Sequence, residues 1–168
     1  MSYPSSLCNT KLTADSLEMK DPAHIKKQLN ELLDSQRFGV LSTHHLGQPY
    51  ASLVAFRATE DLRHLFFATT RSTRKYANLV ENARAALLVD SRTNQDSDIS
   101  NAIATTATGK TEELEAEEKE FQLRLYLQKH PQLREFATSP TCALLRIKVD
   151  TYYFVNRFQE VFELHITE

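Results

Sequence analysis

Residues 69–75 read Thr-Thr-Arg-Ser-Thr-Arg-Lys, and they open a segment with the apolar spacing of a helix. Arg71, Arg74 and Lys75 therefore stand where a helix begins. A helix N-terminus carries a positive partial charge, so cations are unfavourable there unless an anion joins them. A phosphate uses the whole set. It accepts from free helix N–H groups and from the hydroxyls of Thr69, Thr70, Ser72 and Thr73, while Arg offers a planar fork and Lys a point charge. The same side chains have plainer uses, the cations as a solvated face and the hydroxyls as helix caps.

The usual phosphate cradles are missing. Neither GxxxxGK nor GxGxxG occurs, and the chain has only three glycines, so an anion site must be built from strand ends and a helix start. His44 and His45 are neighbours on a strand end and point to opposite faces. His24, His64, His130 and His165 have no ligand spacing, so no metal is expected. Cys8 and Cys142 form no CxxC pair and are too few for a disulfide framework. No GxSxG elbow is present. The carboxylates of EELEAEEKE read as a solvated helix face. Tyr152, Tyr153, Phe154, Phe158 and Phe162 read as core or subunit interface.

The surrounding elements can be drawn from periodicity. Asp21 caps and Pro22 opens a helix whose Ile25, Leu29, Leu32 and Leu33 recur at helical spacing. RFGVLSTHHLGQPYASLVAFRA predicts a hairpin turning at His45–Gln48, with Gly47 free to take positive φ. HLFFAT is a third strand. A short helix ending near Glu81–Asn82 follows, with Tyr76, Leu79 and Val80 inward and Arg74, Lys75 and Asn78 outward. ARAALLVD is a strand buried on both sides, SRTNQDSDIS a polar loop, and AIATTATGKTEEL a fifth strand. A helix with Leu114, Phe121 and Leu125 on one face runs to Pro131. CALLRIKVDTYYFVN and EVFELHI are the last strands. Hairpin-like connections argue against a parallel Rossmann-type sheet. The predicted fold class is mainly β (α+β), an antiparallel split β-barrel of about six to seven strands with peripheral helices.

The totals narrow the function. The chain has 168 residues, 41% hydrophobic content and a formal charge of -2, which suits one packed domain and gives no basis for bulk binding to nucleic acid or an anionic membrane. No apolar run approaches the roughly 18 residues that span a bilayer. The N-terminus lacks a basic start followed by an apolar core. The expectation is a cytoplasmic, reduced protein with an N-terminal arm over residues 1–20 and a single domain over 21–168.

From about residue 29 to 90 the chain resembles the pyridoxamine 5'-phosphate oxidase-like family of FMN-binding split barrels. RFGVLSTHHLGQPYASLVAF resembles the family's opening hairpin. HLFFATTRSTRKYANLVENARAALLVD resembles its strand, Ser/Thr-Arg-Lys turn, helix and next strand. TATGKTEEL resembles the later strand that leads into a helix. The resemblance implies a homodimer with FMN between the subunits. It places Arg74 and Lys75 on the FMN phosphate, with Ser72 or Thr73 adding a hydroxyl. Thr69 and Thr70 would lie beside the ribityl chain or phosphate, and Ser52, Leu53, Val54 and Ala55 along the isoalloxazine ring through backbone groups. Asn78, one turn beyond Arg74, and Arg157 and Phe158 from the partner subunit complete the candidates. Ser52 or Thr69 would tune the ring's potential, and no catalytic base is required. The family's C-terminal substrate motif, with Arg and His close together, is not matched by VNRFQEVFELHITE, so oxidation of pyridoxamine phosphate is not expected. The implied function is an FMN-dependent oxidoreductase; the alternative is a non-catalytic flavin- or haem-binding module.

Overall fold

Asp21 caps the first described helix by accepting from Ala23 N at 3.1 Å, with Pro22 in the first helical turn. The computed structural model describes residues 21–156 and 160–166. The expected arm over residues 1–20, and Arg157 and Phe158, lie outside them. Helix α1 (Pro22–Ser35) buries Ile25, Leu29, Leu32 and Leu33, the stripe that its periodicity predicts. Strands β1 (Phe38–His45) and β2 (Gln48–Ala58) form the hairpin. Its turn residues Leu46 and Gly47 have φ of 48° and 79°, the left-handed pair that a two-residue hairpin turn needs.

Strand β3 (His64–Thr70), helix α2 (Arg74–Glu81) and strand β4 (Arg84–Asp90) follow. Then come a short helix α3 (Asp98–Asn101), strand β5 (Ala104–Glu113) and helix α4 (Ala116–Lys129). A 3-10 turn (Pro131–Leu133) and helix α5 (Arg134–Ala137) lead to strand β6 (Cys142–Asn156), and β7 (Glu160–His165) pairs back on it. Every pairing is antiparallel. The sheet order is β3-β2-β1-β4-β5-β6-β7, and β3 also pairs with β6. Six strands thus close a barrel and β7 extends it, as the predicted fold class requires.

Leu41, Phe56, Leu65, Phe67, Leu87, Ile147 and Tyr152 fill the barrel. A smaller core forms where Tyr126, Leu127 and Ala137 cover the outer face of β3 at Phe66 and of β6 at Leu144. Gly109 sits at a register shift against β6, where a Cβ would stand 2.0 Å from Lys148 O. A close backbone approach of this kind admits only glycine.

Four local expectations are corrected. In α2, Val80 is 71% exposed while Asn78 is 4% exposed, because Asn78 has a hydrogen-bond partner inside the barrel end. In α4, Phe121 is exposed and Tyr126 and Leu127 are buried; the helix docks by its C-terminal half. Strand β4 alternates, with Ala85, Leu87 and Val89 buried and the residues between them less so. The polar loop contains α3, organised by the Asp98 carboxylate, which accepts from the backbone N–H groups of Thr93 and Gln95 and from Thr93 Oγ1.

Candidate functional site

The barrel is split between β2 and β3. These strands pair only through Phe56–Phe67, Arg57–Phe66 and Ala58–Leu65. Continued, that register would set Ala55, Val54 and Leu53 against Ala68, Thr69 and Thr70, but the pairing stops. Phe56 N donates to Arg37 O on the β1 side, and Thr59 N donates to His64 O on the β3 side. Backbone direction alternates along a strand. The peptide groups of Ala55, Leu53 and Ala51 therefore face the open edge. Of the four candidates on β2, Leu53 and Ala55 turn their peptide groups to this edge, whereas Ser52 and Val54 turn theirs to β1. Val54 is buried, Leu53 is 64% exposed, and Ser52 Oγ is buried without a hydrogen-bond partner.

The second lip leads directly to the basic helix start. Thr69 is buried at the end of β3, and its Oγ1 lies 3.0 Å from Thr73 Oγ1. Thr73 is the N-cap of α2. Its hydroxyl accepts from Tyr76 N and donates to Thr70 O at 2.9 Å. The first helical bond is Ala77 N to Thr73 O, so the amides of Arg74 and Lys75 precede the intrahelical ladder. Thr69 and Thr73 thus build the cap. Ser72 is exposed, Thr70 half-buried, and their hydroxyls lie 3.5 Å apart.

Arg74 and Arg71, three residues apart, have different surroundings. The Arg74 guanidinium lies over the ring of Tyr50, 5.7 Å from its centroid. Among the described residues, no carboxylate forms an ion pair with Arg74 or Lys75. Arg71 is tied to the scaffold, donating to the Glu113 carboxylate and to Pro140 O at 2.9 Å. Tyr76 OH donates to the second oxygen of Glu113 at 2.7 Å. Burial works against the Glu113 carboxylate, but the bonds from Arg71 and Tyr76 outweigh it and hold its pKa below the usual range. The expectation of a solvated EELEAEEKE face is corrected here, since Glu113 anchors the loop and Glu112 and Glu118 both pair with Arg146.

Asn78 faces the barrel. Its Nδ2 donates to Thr43 Oγ1 at 3.0 Å, and Thr43 Oγ1 donates to Tyr50 O at 3.4 Å. The other end of α2 is tethered by Glu81, whose carboxylate lies 2.5 Å from His45 Nδ1. The structure thus brings together both groups of candidates, one on each lip of the split. Sequence reading missed Thr43, Tyr50 and Glu113. Tyr50 had a signal, being two residues from Ser52 on a strand already assigned to the site. Glu113 lies 42 residues from Arg71 and had none.

Among the described residues no group of His, Cys, Asp and Glu is placed to hold a metal ion. No described helix is long and apolar enough to cross a membrane.

Comparison with solved structures finds the same fold at low identity. A haem-binding protein from Mycobacterium smegmatis has a TM-score of 0.74 at 14% identity, over 83% of this chain and 57% of that one. This chain thus spans little more than half of that protein. General Stress Protein 26 from Bacillus anthracis str. Sterne gives 0.65 at 21% identity, over 85% and 99% of the two chains. An FAD-binding protein from Mesorhizobium loti gives 0.63 at 18% identity, over 75% and 88%. No curated protein sequence matches the chain. The sequence model of the pyridoxamine 5'-phosphate oxidase family matches residues 25–156, which include the closed barrel, both lips of the split and the whole of α2, and the chain belongs to that family.

Proposed function

We propose that this chain is a homodimeric flavin-dependent oxidoreductase that holds FMN in the split, with its phosphate at the start of α2. One observation carries the reading. An open backbone edge at Ala51 and Leu53 faces a lip that ends in two cations, Arg74 and Lys75, with no carboxylate paired to them among the described residues. An aromatic ring system with edge acceptors and donors suits the first part, and a dianion suits the second. The residues present fit the group in a further respect. Ser52 Oγ is buried and unpartnered, and a buried hydroxyl without a partner costs about 1–3 kcal/mol. A ligand heteroatom at the lip would remove that cost.

The dimer reading rests on the outer face of the sheet. Phe38, Leu53 and Tyr153 are exposed there, with Val40 and Leu88 half-buried and cross-strand partners of one another. A contiguous apolar face of this sort suits a second copy. Bound FMN would supply the electron chemistry, while the chain supplies binding, orientation and electrostatics. Thr69 and Thr73 hold the helix start, Arg74 and Lys75 take the phosphate, and the β2 edge orients the ring.

The test is a titration of the purified protein with FMN and with riboflavin, followed by flavin absorbance. Arg74→Ala combined with Lys75→Ala should weaken FMN about 100-fold or more, from two charge-assisted contacts of about 1.5–3 kcal/mol each. Riboflavin should change little, and equal loss of both would refute the phosphate role. Reduction of the bound flavin by NADH or NADPH supports the oxidoreductase over a non-catalytic module. A Soret band on adding haemin, with no uptake of FMN, supports the haem-binding alternative.

A further inference from the structure

A side chain stands where the next rung of the β2–β3 ladder would be. Tyr126, from α4, is 1% exposed. Its hydroxyl donates to Ala55 O at 3.3 Å, and the Tyr126 oxygen itself faces the backbone N–H of Ala68. Ala55 and Ala68 are the two residues that the ladder would pair next after Phe56 and Phe67. A phenol oxygen can donate once and still accept, so one atom satisfies both strands without letting them close.

His130 reinforces this one helical turn later. It is fully buried, its Nε2 donates to Phe56 O at 2.8 Å, and its ring centroid lies 4.8 Å from that of Tyr126. Burial lowers its pKa, which keeps the ring neutral with Nε2 as the N–H donor. Residues four apart share one helix face. The end of α4 therefore grips β2 at Ala55 and Phe56, where it parts from β3. Directly paired strands lie about 4.8 Å apart, too close for a ligand to reach the peptide groups between them.

We infer that Tyr126 and His130 form a clamp that holds the split open, which makes Tyr126 a positioning residue for the planar ligand. The ligand half rests on the flavin reading; the clamp itself is a property of the chain alone. The test is Tyr126→Phe, which keeps the ring and removes the oxygen. Hydrogen exchange of the ligand-free protein should accelerate about tenfold at the Ala68 amide, from loss of a bond worth about 1.5 kcal/mol. FMN affinity should fall by a similar factor, with a shift in the bound flavin's visible band. Ile25→Val, a core change in α1 that touches neither the Tyr126 nor the His130 hydrogen bonds, should leave both readouts unchanged despite its loss of stability. Unchanged exchange at Ala68 overturns the clamp. Faster exchange with unchanged FMN affinity and spectrum overturns the positioning role. Wild-type protein that takes up no FMN overturns the flavin reading, and the exchange measurement then decides the clamp alone.

Discussion

Asn78 Nδ2 donates to Thr43 Oγ1 at 3.0 Å, and this buried bond fixes α2 against β1 at the end of the barrel. The helix has only eight residues, too few for stability by propensity alone. Its place is set by this bond, by Leu79 beneath it and by the His45–Glu81 pair at its far end. Asn78→Ala should destabilise the protein by about 1–3 kcal/mol, because Thr43 loses a buried partner. Thr43→Val should cost a similar amount. Urea denaturation of both single variants and the double variant measures the coupling. A coupling below about 0.5 kcal/mol would show that the bond does not hold the helix.

Tyr50 supports Arg74 from below. The guanidinium carbon is 5.7 Å from the ring centroid, and Tyr50 is 37% exposed. A cation over an exposed ring gains about 0.5–1 kcal/mol. If Arg74 is a phosphate ligand, Tyr50→Leu should weaken FMN by about two- to fivefold through loss of that orientation. Riboflavin binding should be unaffected. Fluorescence titration with both flavins gives the comparison, and an equal effect on both would place Tyr50 at the ring instead of the phosphate.

Glu113 governs the loop before α2 through Arg71 and Tyr76. Removing a carboxylate near a phosphate site favours the anion electrostatically, whereas freeing Arg71 disorders the loop. Glu113 is bonded to two side chains, so the ordering effect should win. Glu113→Gln is expected to weaken FMN about three- to tenfold, the scale of one charge-assisted bond. Tighter FMN binding in this variant would show that electrostatics dominates. The pH dependence has a definite sign. The folded pKa of Glu113 is lowered, so its contribution is present above the unfolded value near 4.5 and is lost as pH falls through the folded pKa.

The strand and helix order was legible because period and turn chemistry agreed along the chain, as at Asp21-Pro22 and Leu46-Gly47. The basic helix start was legible because its residues are contiguous. Burial within α2 was not. Helical spacing put Val80 inward and Asn78 outward, and the preference of an amide for a buried hydroxyl partner reversed them. The role of Glu113 was hidden by distance along the chain, since β5 meets the loop only after the barrel closes. Tyr126 and His130 illustrate the same limit. Their spacing marks one helix face, but which strand that face meets is decided by the β3–β6 closure.

Lys129 supplies a pH-dependent test of the α4 docking. Its ammonium donates to Leu33 O near the end of α1 at 2.7 Å and lies 4.7 Å from the centroid of the Phe56 ring. It also borders a cavity of about 840 Å³ between α1, β2 and α4, with Arg57 and Asp34 in the lining. Burial pushes its pKa from 10.5 down to about 8. The charged form is therefore disfavoured in the folded state. This cost is fully present below pH 8 and fades as pH rises from about 8 to 10.5. Because the site is partly solvated, screening leaves about 1 kcal/mol of it. Wild-type stability should accordingly rise by about 1 kcal/mol relative to Lys129→Met between pH 7.5 and 10.5. Met keeps the apolar stem over Phe56, so the variant isolates the charge. Urea unfolding of both proteins across this range supplies the difference. Parallel pH profiles would mean that the bond to Leu33 O compensates the ammonium fully, and the groove would then be more hydrated than its lining suggests.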